Sequence, residues 1–193
     1  MDENDLVKAG MEVALRPITD IAENALGLLG GDWLSEKRTR NRERLREKTE
    51  EILRNRGSKF DTDPSPSVVK PLLSAAQDES RVGLTDMWAA LMATAMDPKT
   101  QGIYRSEFVS IAAKLDPIDA RVLELCDGPG DFEPTKRDNI VQRTGASVDE
   151  VMNSFRNLAR IELIFPAPGD IINWRAQPSL TTLGRQFLRA VRP

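Results

Sequence analysis

The sequence predicts a mainly α-helical protein with a small two-stranded sheet near its C-terminus. Apolar residues recur at three- and four-residue spacing through most of the chain, which indicates amphipathic helices. Acids, serines and prolines precede these runs and glycines follow them, as at helix ends. Short β-prone runs surround a Pro/Gly turn in 162–180. We therefore expect N-terminal helices over 1–59, a central helical bundle over 60–115 and a winged-helix-like domain over 116–193.

The first predicted helix lies in 6–29. Ile18, Ile21, Ala25 and Leu29 recur at helical spacing, and Gly30 follows them as a terminator. The polar side of this helix carries acidic residues, which have the wrong sign for anionic lipid. Packing against the protein core is therefore favoured over membrane contact.

A second helix is predicted over 35–57, with Ser35 as its N-cap and Gly57 as its terminator. Its apolar stripe is narrow and consists of Leu45, Ile52 and Leu53. Such a polar helix packs through one seam against a neighbour, as in a coiled coil, or extends into solvent. Self-association through the N-terminal helices is one expectation from this pattern.

The turn-rich segment 57–67 reads as a linker. Three helices are predicted after it, over 67–77 with an internal proline, over 80–96, and over 106–115 with Ser106 as N-cap. The helix over 80–96 has one broad apolar face, and small side chains flank it. Such a face could form an adaptable Met-rich groove, but burial in a helix bundle is the favoured interpretation. The face comprises Leu84, Met87, Trp88, Leu91, Met92, Ala95 and Met96.

The C-terminal region is predicted to contain, in order, a helix, a helix–turn–helix, a two-stranded wing and a final helix. Asp116 is predicted to cap the first of these helices, and Gly145 to end the second. Ser147 and Glu150 form a capping box for the third, and Thr181 or Thr182 caps the last. On the third helix we expect a buried face that includes Val148, and an exposed face of Asp149, Glu150, Asn153, Ser154, Arg156, Asn157 and Arg160. This order is that of a winged-helix domain.

Composition excludes several kinds of chemistry. The chain of 193 residues contains no histidine, so Ser-His, Cys-His and His-metal sites are excluded. The single cysteine, Cys126, excludes an intramolecular disulfide and fits a reducing compartment. The N-terminus is acidic where a signal peptide is basic, and no run approaches the ~20 apolar residues of a membrane span. We expect a cytoplasmic protein that is not an enzyme and has no cofactor or metal.

Charge is strongly segregated along the chain, although the net charge is −3. Residues 36–59 carry a net charge of +5, and residues 171–193 contain four arginines and no acid. Such segregation of charge indicates which partners the protein could bind, and it says little about the fold. The basic helix over 36–59 could contact nucleic acid, anionic lipid or an acidic protein, and a solvated helix with acid–base pairs is the structural alternative. The candidate contact residues are Lys37, Arg38, Arg40, Arg42, Lys136, Arg137, Arg143, Arg156, Arg160 and Arg175.

The central block resembles the abortive infection alpha family. The resemblance lies in "PSPSVVKPLLSAAQDESRVGLTDMWAALMATAMDP" and "SEFVSIAAKLDPIDARVLEL", and extends upstream to Arg40 and Asn41. Gly83 departs from the charged residue expected before the Trp-containing helix. The resemblance implies a bacterial or phage-encoded antiviral protein whose action halts growth of an infected cell. It implies no catalytic residues. We expect it to act by binding a partner, with a winged-helix transcriptional regulator as the alternative.

Overall fold

The computed structural model describes residues 32–58, 65–127, 136–165 and 178–193, and this part of the chain is mainly helical. It contains eight α-helices, one 3₁₀ turn and two short strands. The predicted fold class is thereby confirmed, while the predicted helix over 6–29 lies outside the described residues. In chain order the elements are α1 Asp32–Asn55, α2 Pro66–Ala76, α3 Leu84–Met96, the 3₁₀ turn Gln101–Ile103, α4 Glu107–Ala112, α5 Pro117–Leu125, α6 Lys136–Thr144, α7 Val148–Arg160, β1 Ile164–Phe165, β2 Ser179–Leu180 and α8 Thr182–Val191.

The chain divides into two compact units, residues 1–40 and 41–193. Of the first unit, the structure describes the start of α1. The second unit has one hydrophobic cluster that includes side chains from Leu45 to Ala190. The division predicted at residues 59 and 115 stays a prediction.

Helix α1 begins at Asp32, three residues before the predicted cap, so the prediction for Ser35 is wrong. The carbonyl of Ser35 accepts a hydrogen bond from Thr39 Oγ1 at 2.9 Å, as an interior helical residue does. The helix extends further towards the N-terminus than predicted because Trp33 and Leu34 are compatible with helical conformation. The negative charge of Asp32 also interacts favourably with the positive end of the helix dipole.

The end of α1 agrees with the prediction. Gly57 adopts a left-handed φ of +60°, and its N–H donates to the carbonyl of Arg54. The N–H of Ser58 donates to the carbonyl of Leu53, which completes the pair of bonds typical of a glycine-terminated helix.

The seam of α1 within the second unit is buried, which favours packing over the alternative of a helix that extends into solvent, and the seam is partly polar. Leu45 and Leu53 are each 3% exposed. Asn41 and Thr49 lie on the same stripe and are also buried. Asn41 Nδ2 donates to the carbonyl of Gln77 at 2.9 Å, which ties α1 to the end of α2.

Helix α3 is the centre of the second unit, and it packs against α2, α4, the 3₁₀ turn and α8. Every residue from Leu84 to Ala95 is buried except Asp86. The interpretation of the Met/Trp stripe as core is therefore confirmed. Trp88 is 2% exposed, so the stripe forms no open groove.

The start of α3 differs from the prediction, because the helix begins at Leu84 rather than near Ser80. Arg81 forms ion pairs with Glu79 at 2.8 Å and with Asp116 at 2.6 Å, and these hold the preceding loop outside the helix. Gly83 then turns the chain with a φ of +94°. Few other residues adopt this conformation without strain.

Helices α5, α6 and α7 pack together, and the antiparallel strand pair follows them. The N–H of Asp116 donates to Asp119 Oδ2 at 2.9 Å at the start of α5, and Ser147 with Glu150 forms the predicted capping box on α7. Ile164 pairs with Leu180 in the small sheet. A small C-terminal strand pair is thus confirmed, whereas the winged-helix assignment stays a prediction.

Two residues of α7 lie on the opposite side from the one expected. Val148 is 43% exposed, because it is the first residue of the helix and precedes the packed turns. Ser154 is 2% exposed, because its side chain points to the same side as Val151 and Leu158, which are fully buried. Its hydroxyl has no hydrogen-bond partner within the described part of the chain.

Helix α8 closes the second unit by packing against α3, α5 and the 3₁₀ turn. Thr181 is the N-cap, and its hydroxyl accepts a hydrogen bond from the N–H of Gly184 at 2.8 Å. Phe187 packs edge-on against Phe108 of α4, with ring centroids 5.5 Å apart. A side chain at position 184 would overlap the backbone of Leu163, since an added Cβ would lie 2.9 Å from the carbonyl carbon.

Candidate interaction surfaces

The candidate residues at the start of α1 lie among local partners. Lys37 Nζ lies 5.0 Å from the centre of the Trp33 ring, which is a cation–π distance. Arg40 lies 3.7 Å from Glu36, one turn earlier. Arg38 is half-buried. The predicted basic surface is therefore interrupted by an aromatic ring and a carboxylate in this part of α1.

The basic residues of α1 in the second unit alternate with acids. Arg42 is exposed, and Arg46 lies between Glu43 at 3.0 Å and Glu50 at 3.6 Å. The hydrogen bond that Arg46 donates to the carboxylate of Glu43, followed by the charges of both glutamates, raises the pKa of Arg46 above its ordinary value. Exposed pairs of this kind contribute little to stability. The outer side of α1 thus presents mixed charge rather than a continuous basic strip.

Helix α6 carries three candidate residues. Lys136 is in its first turn, and its side chain lies outside the described residues, as does Arg175. Arg137 forms an ion pair with Asp138 at 3.0 Å. Arg143 is exposed, and its carbonyl accepts a hydrogen bond from Arg121.

Helix α7 brings Asp149, Asn153, Arg156 and Arg160 onto one exposed stripe. Arg156 donates to Asn153 Oδ1 at 3.1 Å, and Arg160 donates to Asn157 Oδ1 at 2.7 Å. The stripe begins with an acid and ends with two arginines, so its charge is bipolar. Amides and guanidinium groups could bind nucleic-acid bases or a protein, but acids at the N-terminal end repel phosphate.

Asn157 has a second role that the sequence pattern does not reveal. Its Nδ2 donates to Asp119 Oδ2 at 2.7 Å and to the carbonyl of Lys114 at 3.1 Å. Asp119 is 2% exposed and also accepts the N–H of Asp116. This network fixes α7 against the start of α5, so the exposed stripe of α7 has a defined orientation.

The single thiol of the chain is unreactive in the folded protein. Cys126 is 5% exposed, and burial raises its pKa to about 12. A nucleophilic cysteine needs a lowered pKa and access to solvent. Among the described residues, no three histidine, cysteine, aspartate or glutamate side chains are grouped so that they could hold a metal ion.

A small pocket of about 90 Å³ lies between α3, α5 and α8. Its lining includes the apolar residues Met87, Leu123 and Phe187 and the acidic residues Asp86 and Glu124. Pockets for drug-sized ligands are roughly 300–1,000 Å³. Asp86 also forms an ion pair with Lys48 of α1, which engages one of the two carboxylates.

The candidate set omits the arginines of α8. Arg185 and Arg189 are exposed and lie about one turn apart on the same side of that helix, and Arg192, which is also exposed, follows the last helical residue with an extended backbone. The signal that could have identified them is the absence of any acid in 171–193. Only the position of α8 in the fold shows that these arginines share an outward face.

None of the described helices is both long enough and apolar enough to cross a membrane. The search of curated proteins and the search of solved structures found no significant match. The family model of abortive infection alpha matches residues 37–164, which is well over half of the 193-residue chain. The match covers α1 from Lys37 to the first residue of β1, and therefore includes the buried α3 and the α5–α7 group. The chain belongs to the abortive infection alpha family.

Proposed function

We propose that this protein serves abortive-infection defence in the cytoplasm as a non-enzymatic protein that binds a partner. Family membership supports the defence role. The single buried cysteine fits a compartment in which thiols stay reduced. The binding role is inferred from the burial of the residues in the block that the family model matches.

The observation that carries the proposal is the burial of α3 within the family block. Leu84, Trp88 and Leu91 are at most 2% exposed, so these residues build a scaffold and offer no pocket wall. Cys126 lies in the same block, and its raised pKa keeps it protonated at neutral pH. A block built in this way supports action through its surface.

We propose that the exposed stripe of α7 contacts the protein partner. Arg156 and Arg160 are exposed, and β1, which follows α7, exposes 56% of Phe165. Arginine and aromatic side chains are enriched at the energetically important positions of protein interfaces. The network through Asn157 and Asp119 holds this stripe in a fixed orientation, which reduces the entropy cost of binding.

The alternative role, a winged-helix transcriptional regulator, has less support. A recognition helix contacts bases through its N-terminal residues. In α7 these residues include Asp149 and Glu150, and Glu150 is engaged in the cap with Ser147. The N–H and hydroxyl of Ser147 lower the pKa of Glu150, so this carboxylate is ionised at neutral pH and repels phosphate.

Self-association through the N-terminal helices remains part of the proposal. The apolar seam formed by Leu45, Ile52 and Leu53 is already buried in the second unit. We therefore expect a homo-oligomer to form through residues 1–40, which precede this seam. Sedimentation equilibrium of the full chain and of residues 41–193 distinguishes the two cases: an oligomer that persists after removal of 1–40 contradicts this assignment.

A phage challenge of bacteria that produce the full chain tests the defence role. We expect cultures to survive at a low phage-to-cell ratio and to stop growing at a high ratio, with few phage released. Arg156→Glu combined with Arg160→Glu should abolish protection while the purified variant melts like the wild type. Lys70→Glu, on the exposed side of α2, is the matched surface control. Full protection by the double variant would remove α7 from the mechanism, and normal phage release in wild-type cultures would remove the defence role.

A further inference from the structure

Helix α8 has an exposed face that is entirely cationic or neutral. From residue 182 onward, the exposed positions are Thr182, Arg185, Arg189, Arg192 and Pro193. The segment 178–193 contains no aspartate or glutamate. Among the described helices, α8 alone combines two cations with no acid, since α1, α6 and α7 all mix the two signs. We call Arg185 and Arg189 on this helix, together with Arg192 at its C-cap, the α8 arginine face.

The arginine face cannot turn inward, because the other side of α8 forms part of the core. Gly184, Phe187, Leu188 and Ala190 are all buried. The N–H of Thr181 donates to the carbonyl of Leu163 at 3.0 Å, which fixes the start of the helix. The hydroxyl of Thr94 donates to the carbonyl of Ala190 at 2.7 Å, which fixes its end. Arg185 and Arg189 therefore project from a fixed helix, and Arg192 follows it directly.

The arginines differ in how far their charge is already neutralised. Within the described part of the chain, Arg189 has no ion pair or hydrogen bond through its guanidinium, and Arg185 donates only to the neutral carbonyl of Leu180. Arg192 forms an ion pair with Asp127. At least two positive charges about one helical turn apart, or ~6 Å, thus remain available to an anion.

We propose that the α8 arginine face binds the phosphate backbone of nucleic acid without sequence selection. Arginine matches phosphate geometry through paired N–H groups. The exposed positions of the face include no large apolar side chain, whereas a protein interface has an apolar core and a membrane-surface helix inserts apolar side chains. A phosphate backbone needs neither. This proposal concerns a surface other than α7 and is independent of the defence role.

Fluorescence anisotropy of the full chain tests the proposal with two labelled probes, a 30-base-pair DNA duplex and a 30-nucleotide RNA of scrambled sequence. We expect the affinity for duplex DNA to fall with salt along a log–log slope of about −2 to −3, since each neutralised phosphate contributes about 0.9. Arg185→Gln combined with Arg189→Gln should weaken binding about tenfold or more at 50 mM NaCl and reduce the magnitude of the slope by about 2. The equally charged control, Lys70→Gln with Lys114→Gln at exposed positions outside α7 and α8, should bind like the wild type.

Four outcomes overturn the proposal. The first is no binding of either probe at 50 mM NaCl. The second is an equal loss of affinity in the control variant at Lys70 and Lys114, which reflects net charge alone. The third is binding to phosphatidylglycerol vesicles or poly-glutamate without binding to nucleic acid. Arg189→Gln alone, whose guanidinium has no partner to lose in the described part of the chain, should weaken binding with an unchanged melting temperature, and a wild-type affinity in that variant also contradicts the proposal.

Discussion

Gly184 sits where α8 crosses the turn before β1, and this closeness requires a residue without a Cβ. An added Cβ would overlap the carbonyl group of Leu163, which is backbone and cannot rotate away. We expect Gly184→Ala to lower the free energy of unfolding by about 1–3 kcal/mol or more, as overpacking does. Urea denaturation measures this loss.

Gly102 provides the matched control for that substitution. An added Cβ at position 102 meets nothing within 4 Å. Gly102→Ala should therefore change the free energy of unfolding by less than about 1 kcal/mol. Equal stabilities of the two alanine variants would show that α8 does not approach Leu163 so closely.

Cys126 allows a second test at the level of a single residue. Burial raises its pKa to about 12, so roughly one thiol in ten thousand is ionised at pH 8. We expect no reaction of the native protein with Ellman's reagent over an hour at pH 8, and one thiol per chain to react in 6 M guanidinium chloride. Rapid labelling of the native protein would contradict the burial of this side chain.

Some single-residue features follow from the sequence, and others need the fold. Ser147 with Glu150 was predictable because a capping box is a local interaction. The backbone conformation of Glu162 was not predictable, because this residue adopts a left-handed φ of +62°, a conformation in which glycine is usual. The N–H of Leu163 then donates to the carbonyl of Leu158, and both side chains are fully buried. Tertiary packing thus imposes a backbone conformation that the residue type disfavours.

At the scale of elements, Asp97 joins the ends of α1 and α3. It is 1% exposed, and it accepts hydrogen bonds from Ser58 Oγ at 2.8 Å and from the N–H of Lys99 at 3.0 Å. Burial alone would raise the pKa of Asp97, but the N–H of Lys99, the hydroxyl of Ser58 and the charge of Arg56 together lower it. The carboxylate is therefore more stable in the folded than in the unfolded chain.

This lowered pKa predicts a pH dependence of stability with a defined sign. The contribution of Asp97 is complete above its ordinary pKa of 3.8 and is lost as pH falls through the lower pKa of the folded state. In urea denaturation, the stability difference between the wild type and Asp97→Asn should be constant from pH 7 to about 5 and shrink below about 4. Asp138→Asn, at an exposed ion pair, should show a smaller change. A difference that grows on acidification would contradict the assignment.

The sequence predicts elements well where their cause is local or periodic. The burial of Trp88 follows from the apolar spacing of α3. The start of α3 at Leu84 does not, because it depends on the pairing of Arg81 with Asp116, 35 residues away. The sequence predicts the candidate basic surfaces only in part for the same reason. The pattern of charges predicts which arginines are exposed, but the neighbouring side chains in the fold decide whether an arginine is already paired with an acid. Arg46 is held between two glutamates, whereas Arg189 has no partner in the described region.

At the scale of the whole molecule, the second unit should fold without the first. Residues 41–193 contain the buried seam from Asn41 to Leu53, whereas a fragment that starts at residue 60 lacks it. Removing Leu45, Ile52 and Leu53 costs about 2–5 kcal/mol for each side chain, and their combined cost is comparable to the whole stability of a typical domain.

Thermal unfolding followed by circular dichroism tests this expectation on the two fragments. We expect 41–193 to melt cooperatively and 60–193 to show no cooperative transition. A cooperative, wild-type-like transition of 60–193 would instead support the boundary predicted at residue 59. Loss of structure in 41–193 would mean that residues 1–40 contribute to the folding of the second unit.

The position of α8 also bears on how the protein is made. Helix α3 precedes α8 in the chain, so α8, which covers one of its sides, leaves the ribosome only after α4, α5, α6 and α7. The nascent chain therefore carries a partly uncovered apolar helix until α8 has emerged. Chaperones and proteases recognise such apolar surface, so a prematurely terminated product is destined for degradation rather than for activity.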